Sequence, residues 1–344
     1  MSGFTLETPF SMKGLQLRNR TVMAPMCQYS VTKKDGIANE WHYLHYTSRA
    51  LGGIGLIIVE MTNVEPDGRI SDQCLGLWSD DHIPALKRIV DAAHAHGAKI
   101  GIQIAHAGRK AQDAAQPVAP SAIAFDETYK QPRALTTDEV KDMVKKFGDA
   151  TRRAVEAGFD TIELHGAHGY LMHQFHSPRT NTRDDEYGQD LTLFGREVIA
   201  EVKKHMPEDM PLLLRISALE YVEDGYGIDY GIELCRTYLE AGVDLLHIST
   251  GGEGTPTPAK RPKVEPGFQL EAAHAVKVAL GVPVIAVGML DDPHFAAEVL
   301  ATGKSDLVAI GRGLLRDPYW AIHAIKETGG DFRAHVPTAY IRGY

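Results

Sequence analysis

Short runs of β-branched and aliphatic residues recur along the chain, and each is followed by a stretch whose apolar positions fall at helical spacing. The runs are Thr21–Met26, Leu56–Glu60, Lys99–Ala105, Thr161–His165, Leu212–Ser217, Leu245–Ser249, Val284–Val287 and Leu307–Ile310. They are apolar nearly throughout, as strands covered on both faces must be. Strand–helix alternation predicts a parallel sheet with crossover helices. Alternation alone also fits a doubly wound open sheet, but about eight successive units favour closure into a (β/α)8 TIM barrel. No glycine-rich dinucleotide fingerprint follows the first strand. The expectation is therefore a single α/β domain, one barrel over residues 1–344.

Ala95-His96-Gly97, Glu156-Ala157-Gly158, Glu240-Ala241-Gly242 and Ala301-Thr302-Gly303 each place a glycine just before a predicted strand. A glycine there can turn left-handed and end the preceding helix, so these sites mark the strand-entry end of the barrel. The polar and glycine-rich segments after the strands mark the opposite end, where a parallel barrel carries its chemistry. The longest irregular stretch, from about Gly108 to Pro132, follows the third strand. Loops of that length usually have a function.

Composition narrows the classes. With 344 residues, 44% hydrophobic and 24% charged, the chain can bury a large core. A net charge of -9 offers no basic footprint, so no nucleic-acid partner is expected and small molecules are. Cys27, Cys74 and Cys235 are widely spaced and form no C-x-x-C pair, which fits a reducing cytoplasm. No apolar run is long enough for a signal peptide or a membrane span.

Unusual polar residues fall at the ends of different strands, where they would converge on one mouth. After the fourth strand stands His165-Gly166-Ala167-His168-Gly169-Tyr170. Two imidazoles there could present N–H donors to one oxygen, with the Tyr170 phenol delivering a proton nearby. His-x-x-His also serves in metal sites, with Glu60, His106 or Glu163 as further ligands, and it also occurs as plain structure. Cys27 reads equally as a buried core thiol, Tyr29 as packing, and Gln103 as a strand-end amide in need of a partner. Arg215 lies on a barrel strand, so it needs either a buried salt bridge or an anionic ligand. Val287-Gly288-Met289 and Ile310-Gly311-Arg312-Gly313 follow the last two strands, where this fold commonly holds a phosphate.

These residues, taken in order, resemble the Old Yellow Enzyme family, and in particular its bacterial thermophilic-like subclass of NADPH dehydrogenase and xenobiotic reductase type ene-reductases. The likeness runs through Ala24-Pro25-Met26-Cys27-Gln28-Tyr29, Gln103, His106-Ala107-Gly108-Arg109-Lys110, Ala119-Pro120-Ser121, the His165–Leu171 segment, Arg183-Asp184-Asp185-Glu186-Tyr187-Gly188, Arg215, and Gly311-Arg312 with Leu315-Arg316-Asp317-Pro318. The resemblance implies FMN held by Ala24, Pro25, Met26, Cys27, Met61, Gln103, Arg215, Gly288, Gly311 and Arg312. It implies a substrate carbonyl gripped by His165 and His168, Tyr170 as proton donor, and Tyr29 touching the ligand. NAD(P)H, NADPH above NADH, would supply hydride for reducing the C=C bond of unsaturated aldehydes, ketones, maleimides and nitro compounds.

Arg342 resembles an arginine that in this subclass reaches a neighbouring subunit's site, which implies a homodimer or homotetramer with the C-terminal tail at the interface. The chain departs from the family after Gly188, where Gln189-Asp190-Leu191-Thr192-Leu193-Phe194 is a few residues shorter than usual. It also stops after the barrel, so no iron–sulfur or second dinucleotide-binding domain is expected. The competing readings are another FMN barrel, such as a hydroxy-acid oxidase, a metal-dependent hydrolase using His165 and His168, and a non-enzymatic binding barrel.

Overall fold

The computed structural model describes residues 3–344. Its centre is a closed barrel of eight parallel strands: β1 (Thr21–Met23), β2 (Leu56–Asn63), β3 (Lys99–Ala105), β4 (Thr161–Gly166), β5 (Leu212–Ser217), β6 (Leu245–Ser249), β7 (Val284–Val287) and β8 (Leu307–Ile310). Each strand pairs with the next, and β8 returns to β1 with Val308 opposite Thr21. Eight crossover helices cover the outside: α1 (Glu40–Leu51), α2 (Ile83–Ala95), α3 (Thr137–Ala157), α4 (Leu193–His205), α5 (Ile228–Ala241), α6 (Leu270–Leu280), α7 (Pro293–Ala301) and α8 (Trp320–Glu327). Among the described residues no helix is long and apolar enough to cross a membrane.

Local chemistry sets the element ends. In α3, Thr136 and Glu139 form a reciprocal cap at the start, and Gly158 closes the helix at φ 93°. Between these ends Val140, Met143, Val144, Phe147, Ala150 and Ala154 recur at helical spacing and are buried. Truncating Phe147 to alanine would cost about 3–5 kcal/mol. Gly242, at φ 116°, closes α5 in the same way.

The first strand ends at Met23, three residues short of the expected Met26. Ala24 N still donates to Ile310 O at 3.0 Å, but Pro25 has no N–H, so the chain leaves the ladder there. Strand β2 runs past Glu60 to Asn63, with its register against β3 shifting between Val59 and Thr62. The stretch from Gly108 to Pro132 is mostly irregular, pinned by one short pairing of Val118–Ala119 with Arg133–Ala134.

The barrel interior is layered. Val22, Leu56, Ile58, Leu213, Leu245, Ile285 and Leu307 fill the strand-entry end together with Phe10, Leu15 and Leu17. Those last three belong to an antiparallel pair, Phe10–Met12 with Leu15–Leu17, that plugs the floor. Above this apolar layer the interior turns polar. Gln103 stands opposite Glu163, and Arg215 stands between His165 and His247 across three neighbouring strands.

Candidate active site

His165 is the penultimate residue of β4, and its imidazole is almost wholly enclosed. Nδ1 accepts a hydrogen bond from Ala167 N at 3.2 Å, so the ring proton must sit on Nε2, which bonds to none of the described residues. Burial first, and the Arg215 charge second, push this histidine well below the ordinary range. It is therefore a neutral hydrogen-bond donor with its free N–H at the barrel mouth.

The next residues turn sharply. His168 adopts φ 60° and Gly169 φ 70°, and a Cβ on Gly169 would lie 2.5 Å from Gly252 O, so only glycine fits. Ser217 Oγ accepts from His168 N at 3.1 Å, His173 Nδ1 accepts from Gly169 N at 3.0 Å, and Lys110 Nζ donates to His168 O at 3.0 Å. So fixed, the turn sets the His168 ring 5.1 Å and the Tyr170 ring 4.9 Å from that of His165, both edge-on. Burial is the main force holding the Tyr170 phenol well above its usual range, so it keeps its proton. His168 Nε2 lies 2.7 Å from Ser249 Oγ.

Beside this group is a cavity of about 230 Å³ lined by Ala24, Pro25, Met26, Arg215, Gly288, Gly311 and Arg312, with Gln269 on the same wall. Of the ten positions expected to hold FMN, this cavity gathers seven. The Arg215 Nε is buried without a partner, and the side chain makes no ion pair within 4 Å among the described residues. Burial lowers its pKa, and nearby Glu163 opposes that effect. An unpaired guanidinium in such a place calls for an anionic ligand, and glycines at 288 and 311 let a ligand approach the backbone. The residues present therefore fit FMN.

Cys27, Met61 and Gln103 lie outside that lining. Met61 is buried in a small cluster with Cys74, against which Cys27 and Tyr170 pack. Gln103 Nε2 donates to Glu163 Oε1 at 2.8 Å, so this strand-end amide finds a protein partner on one side. The neighbouring Cys74 thiol and burial raise the Cys27 thiol, and Tyr29, with its backbone at φ 50°, stands close to it. Tyr29 is 44% exposed, which leaves its ring free for a ligand. Behind Cys27 lies Glu60, whose Oε2 accepts from Gln28 N at 2.7 Å and whose Oε1 accepts from the Tyr46 hydroxyl at 3.1 Å. Burial pushes Glu60 up to about 8.

The extra ligands of the metal reading do not assemble around the histidines. Glu60 serves Gln28 and Tyr46, His106 pairs with Glu65 at 2.7 Å, and Glu163 binds Gln103 and His247. Among the described residues one group has converging ligand atoms, His173 with Glu220 and Glu253, and it contains neither His165 nor His168. Even there His173 Nδ1 accepts from Gly169 N, so Nε2 carries the proton and donates to Glu220 at 3.0 Å.

Arg342 is exposed in the terminal turn Thr338–Gly343, where Tyr340 and Tyr344 pack beside Tyr319 and His323 of the α8 region. It adds nothing to the site of its own chain. The segment after Gly188, expected to be shorter than is usual in the family, closes on itself. Asp190 Oδ1 accepts from Thr192 N at 2.9 Å and its carboxylate pairs with Arg196, which starts α4 without further residues. Ser217, Ser249, Gln269 and His247 had drawn no notice in the sequence. For Ser217, Ser249 and Gln269 the signal was positional, a polar residue at the end of an otherwise apolar strand or just before a helix, and for His247 it was a polar residue in the middle of an apolar strand.

Residues 5–328 match the NADH:flavin oxidoreductase / NADH oxidase family. The chain is 45% identical over 342 residues to the NADPH dehydrogenase of Geobacillus thermodenitrificans, covering 98% of both chains. It is also 45% identical over 342 residues to the NADPH dehydrogenase of Bacillus subtilis, covering 98% of this chain and 99% of the relative. Among solved structures, morphinone reductase in complex with tetrahydroNAD aligns with a TM-score of 0.78 at 28% identity, covering 95% of this chain and 92% of that one.

Proposed function

Because the chain belongs to the NADH:flavin oxidoreductase / NADH oxidase family, and so is an FMN-dependent oxidoreductase of the kind its resemblance to Old Yellow Enzyme implied, we propose that it reduces activated alkenes at the expense of NADPH. The substrates are unsaturated aldehydes, ketones, maleimides and nitro compounds. NADPH stands above NADH because the whole-length relatives are NADPH dehydrogenases.

Ala24, Pro25, Met26, Arg215, Gly288, Gly311 and Arg312 would hold FMN along the cavity, with Cys27, Met61 and Gln103 completing its surroundings. When bound, the flavin supplies hydride transfer between the nicotinamide and carbon. Arg215 offers its unpaired guanidinium to negative charge on that cofactor. His165 and His168 together would receive the substrate oxygen, His165 through its Nε2–H. That donor draws electron density out of the conjugated double bond, so the β-carbon becomes the electrophile. Tyr170 then gives its phenolic proton to the α-carbon.

The observation that carries this reading is the neutral His165 donor and the protonated Tyr170 phenol, packed edge-on at 4.9 Å next to a cavity that contains an unpaired arginine. A visible spectrum tests it. The purified protein should absorb as a flavin, bleach under anaerobic NADPH, and recover colour when cyclohexenone or N-ethylmaleimide is added. Colourless protein that takes up no FMN, or bleached protein that no alkene reoxidises, would overturn the reading.

The exposed Arg342 supports an assembly, a homodimer or homotetramer, in which the tail reaches a neighbouring copy. Sedimentation of the intact protein as a monomer at micromolar concentration would remove that part.

A further inference from the structure

Cys27 and Cys74 are far apart in the chain and come together under the barrel mouth. Cys74 sits in a small buried cluster whose other members are methionine, isoleucine and alanine side chains, and Cys27 packs on that cluster together with Tyr170. Within the cluster Cys74 is the one side chain that can give up a proton. The two thiols differ in access. Cys74 is fully buried, whereas Cys27, just after the C-terminal end of β1, is partly exposed. The third cysteine, Cys235, is enclosed within α5.

Neither member of the pair is held in the barrel wall. Cys27 follows Pro25, where the chain leaves the ladder, and Cys74 lies in the bend between β2 and α2. Val31 N donates to Gln73 O at 3.0 Å, so the two loops are tied together next to the pair. A disulfide demands a set approach of two Cβ atoms, and tied loops can settle to it where two barrel strands could not.

The thiols also share their protons. The neighbouring Cys27 thiol lowers the pKa of Cys74; burial opposes this, and the Ser71 and Ile70 amides and the Arg69 charge support it. The Cys74 thiol in turn raises that of Cys27. The pair therefore loses its first proton as a unit, and exchange of the remaining proton puts thiolate character on the sulfur that solvent reaches.

We infer that Cys27 and Cys74 form a dithiol that reacts with hydroperoxides, Cys74 resolving oxidised Cys27 as a disulfide and so sparing it from irreversible oxidation. In the first step the Cys27 sulfur takes the terminal oxygen of the hydroperoxide. The O–O bond breaks, a sulfenic acid forms, and the alcohol, or water from hydrogen peroxide, leaves with the thiol proton. Cys74 then attacks the Cys27 sulfur. The S–O bond breaks, the S–S bond forms and water leaves, so two electrons have passed from the two thiols to the peroxide. This chemistry is separate from the reading of His165, His168 and Tyr170, and either stands if the other fails.

The test treats the FMN-loaded protein with hydrogen peroxide, then unfolds it, alkylates it with iodoacetamide and digests it with trypsin. Cys27 and Cys74 fall in different tryptic peptides, residues 21–33 and 70–87. Mass spectrometry should find these two peptides joined, lighter by two hydrogens, with Cys235 alkylated. Dithiothreitol should return both thiols in full. In Cys74→Ser, and in Cys74→Ala should the serine variant fail to fold, Cys27 should be trapped by dimedone as the sulfenic acid. With further peroxide it should pass to the sulfinic acid that dithiothreitol does not reverse. Sulfinic acid forming at Cys27 as fast in the unaltered chain as in these variants overturns the inference. So does Cys27 that stays unoxidised at millimolar peroxide, or a crosslink joining Cys27 to any residue other than Cys74 of its own chain.

Discussion

Glu60 is the most perturbed carboxyl that the site leans on, and Glu60→Gln converts that perturbation into a measurable slope. Its carboxyl moves from the ordinary 4.5 to about 8 because burial outweighs the bonds from Gln28 N and Tyr46. The native protein therefore holds this proton up to about pH 8, whereas the unfolded chain releases it near 4.5. A folded-state pKa raised in this way gives stability that is whole below 4.5 and is lost as pH rises through about 8. The loss runs at about 1.4 kcal/mol per pH unit, and ~5 kcal/mol accumulates across the interval.

A glutamine has no proton to lose and can accept from Gln28 N while its amide faces Tyr46. With an unfolding entropy of about 2.1 cal/mol/K per residue, 344 residues give about 0.7 kcal/mol/K. The Tm of Glu60→Gln should then gain on the unaltered protein by about 2 °C for each pH unit between 5 and 8. Differential scanning calorimetry of the FMN-loaded proteins at four pH values measures this. Parallel Tm curves would show that Glu60 is ionised in the folded protein and refute the reasoning.

Three further outcomes are expected. Tyr170→Phe should slow reoxidation by cyclohexenone by about 10²–10⁴-fold while leaving anaerobic bleaching by NADPH nearly unchanged; stopped-flow absorbance separates the two halves, and equal slowing of both would remove the acid role. His165→Ala should weaken 4-hydroxybenzaldehyde binding by about fivefold or more through the lost donor, and an unaltered Kd from flavin titration would contradict the oxygen grip. Arg109→Met strands Glu253, which pairs with it inside the protein at 2.5 Å with both side chains almost wholly buried. That should cost about 3–5 kcal/mol, or roughly 4–7 °C of Tm, and a loss under 1 °C in calorimetry would show that the pair is dispensable.

Much of the architecture could be read in one dimension. A strand buried on both faces has to be apolar along its length, so Lys99–Ala105, Leu212–Ser217, Leu245–Ser249, Val284–Val287 and Leu307–Ile310 begin and end where composition changes. Helix ends at Gly158 and Gly242 were legible because a left-handed residue is almost always glycine. The seven cavity residues were legible too, since a parallel barrel brings every strand end to one mouth whatever the sequence between them.

Hydrogen-bond direction is another matter, because it depends on which atoms meet across strands far apart in the chain. Nothing in the order of residues says that Ser249 stands between His168 and Gln269, or that Thr250 N fixes the amide. Those contacts join the turn after β4 to the end of β6 and the start of α6, and they hold the His168 ring in place. Residue identity placed two histidines, a phenol and an arginine around one opening; only closure of the barrel assigned their protons, since a tautomer is set by neighbours in space.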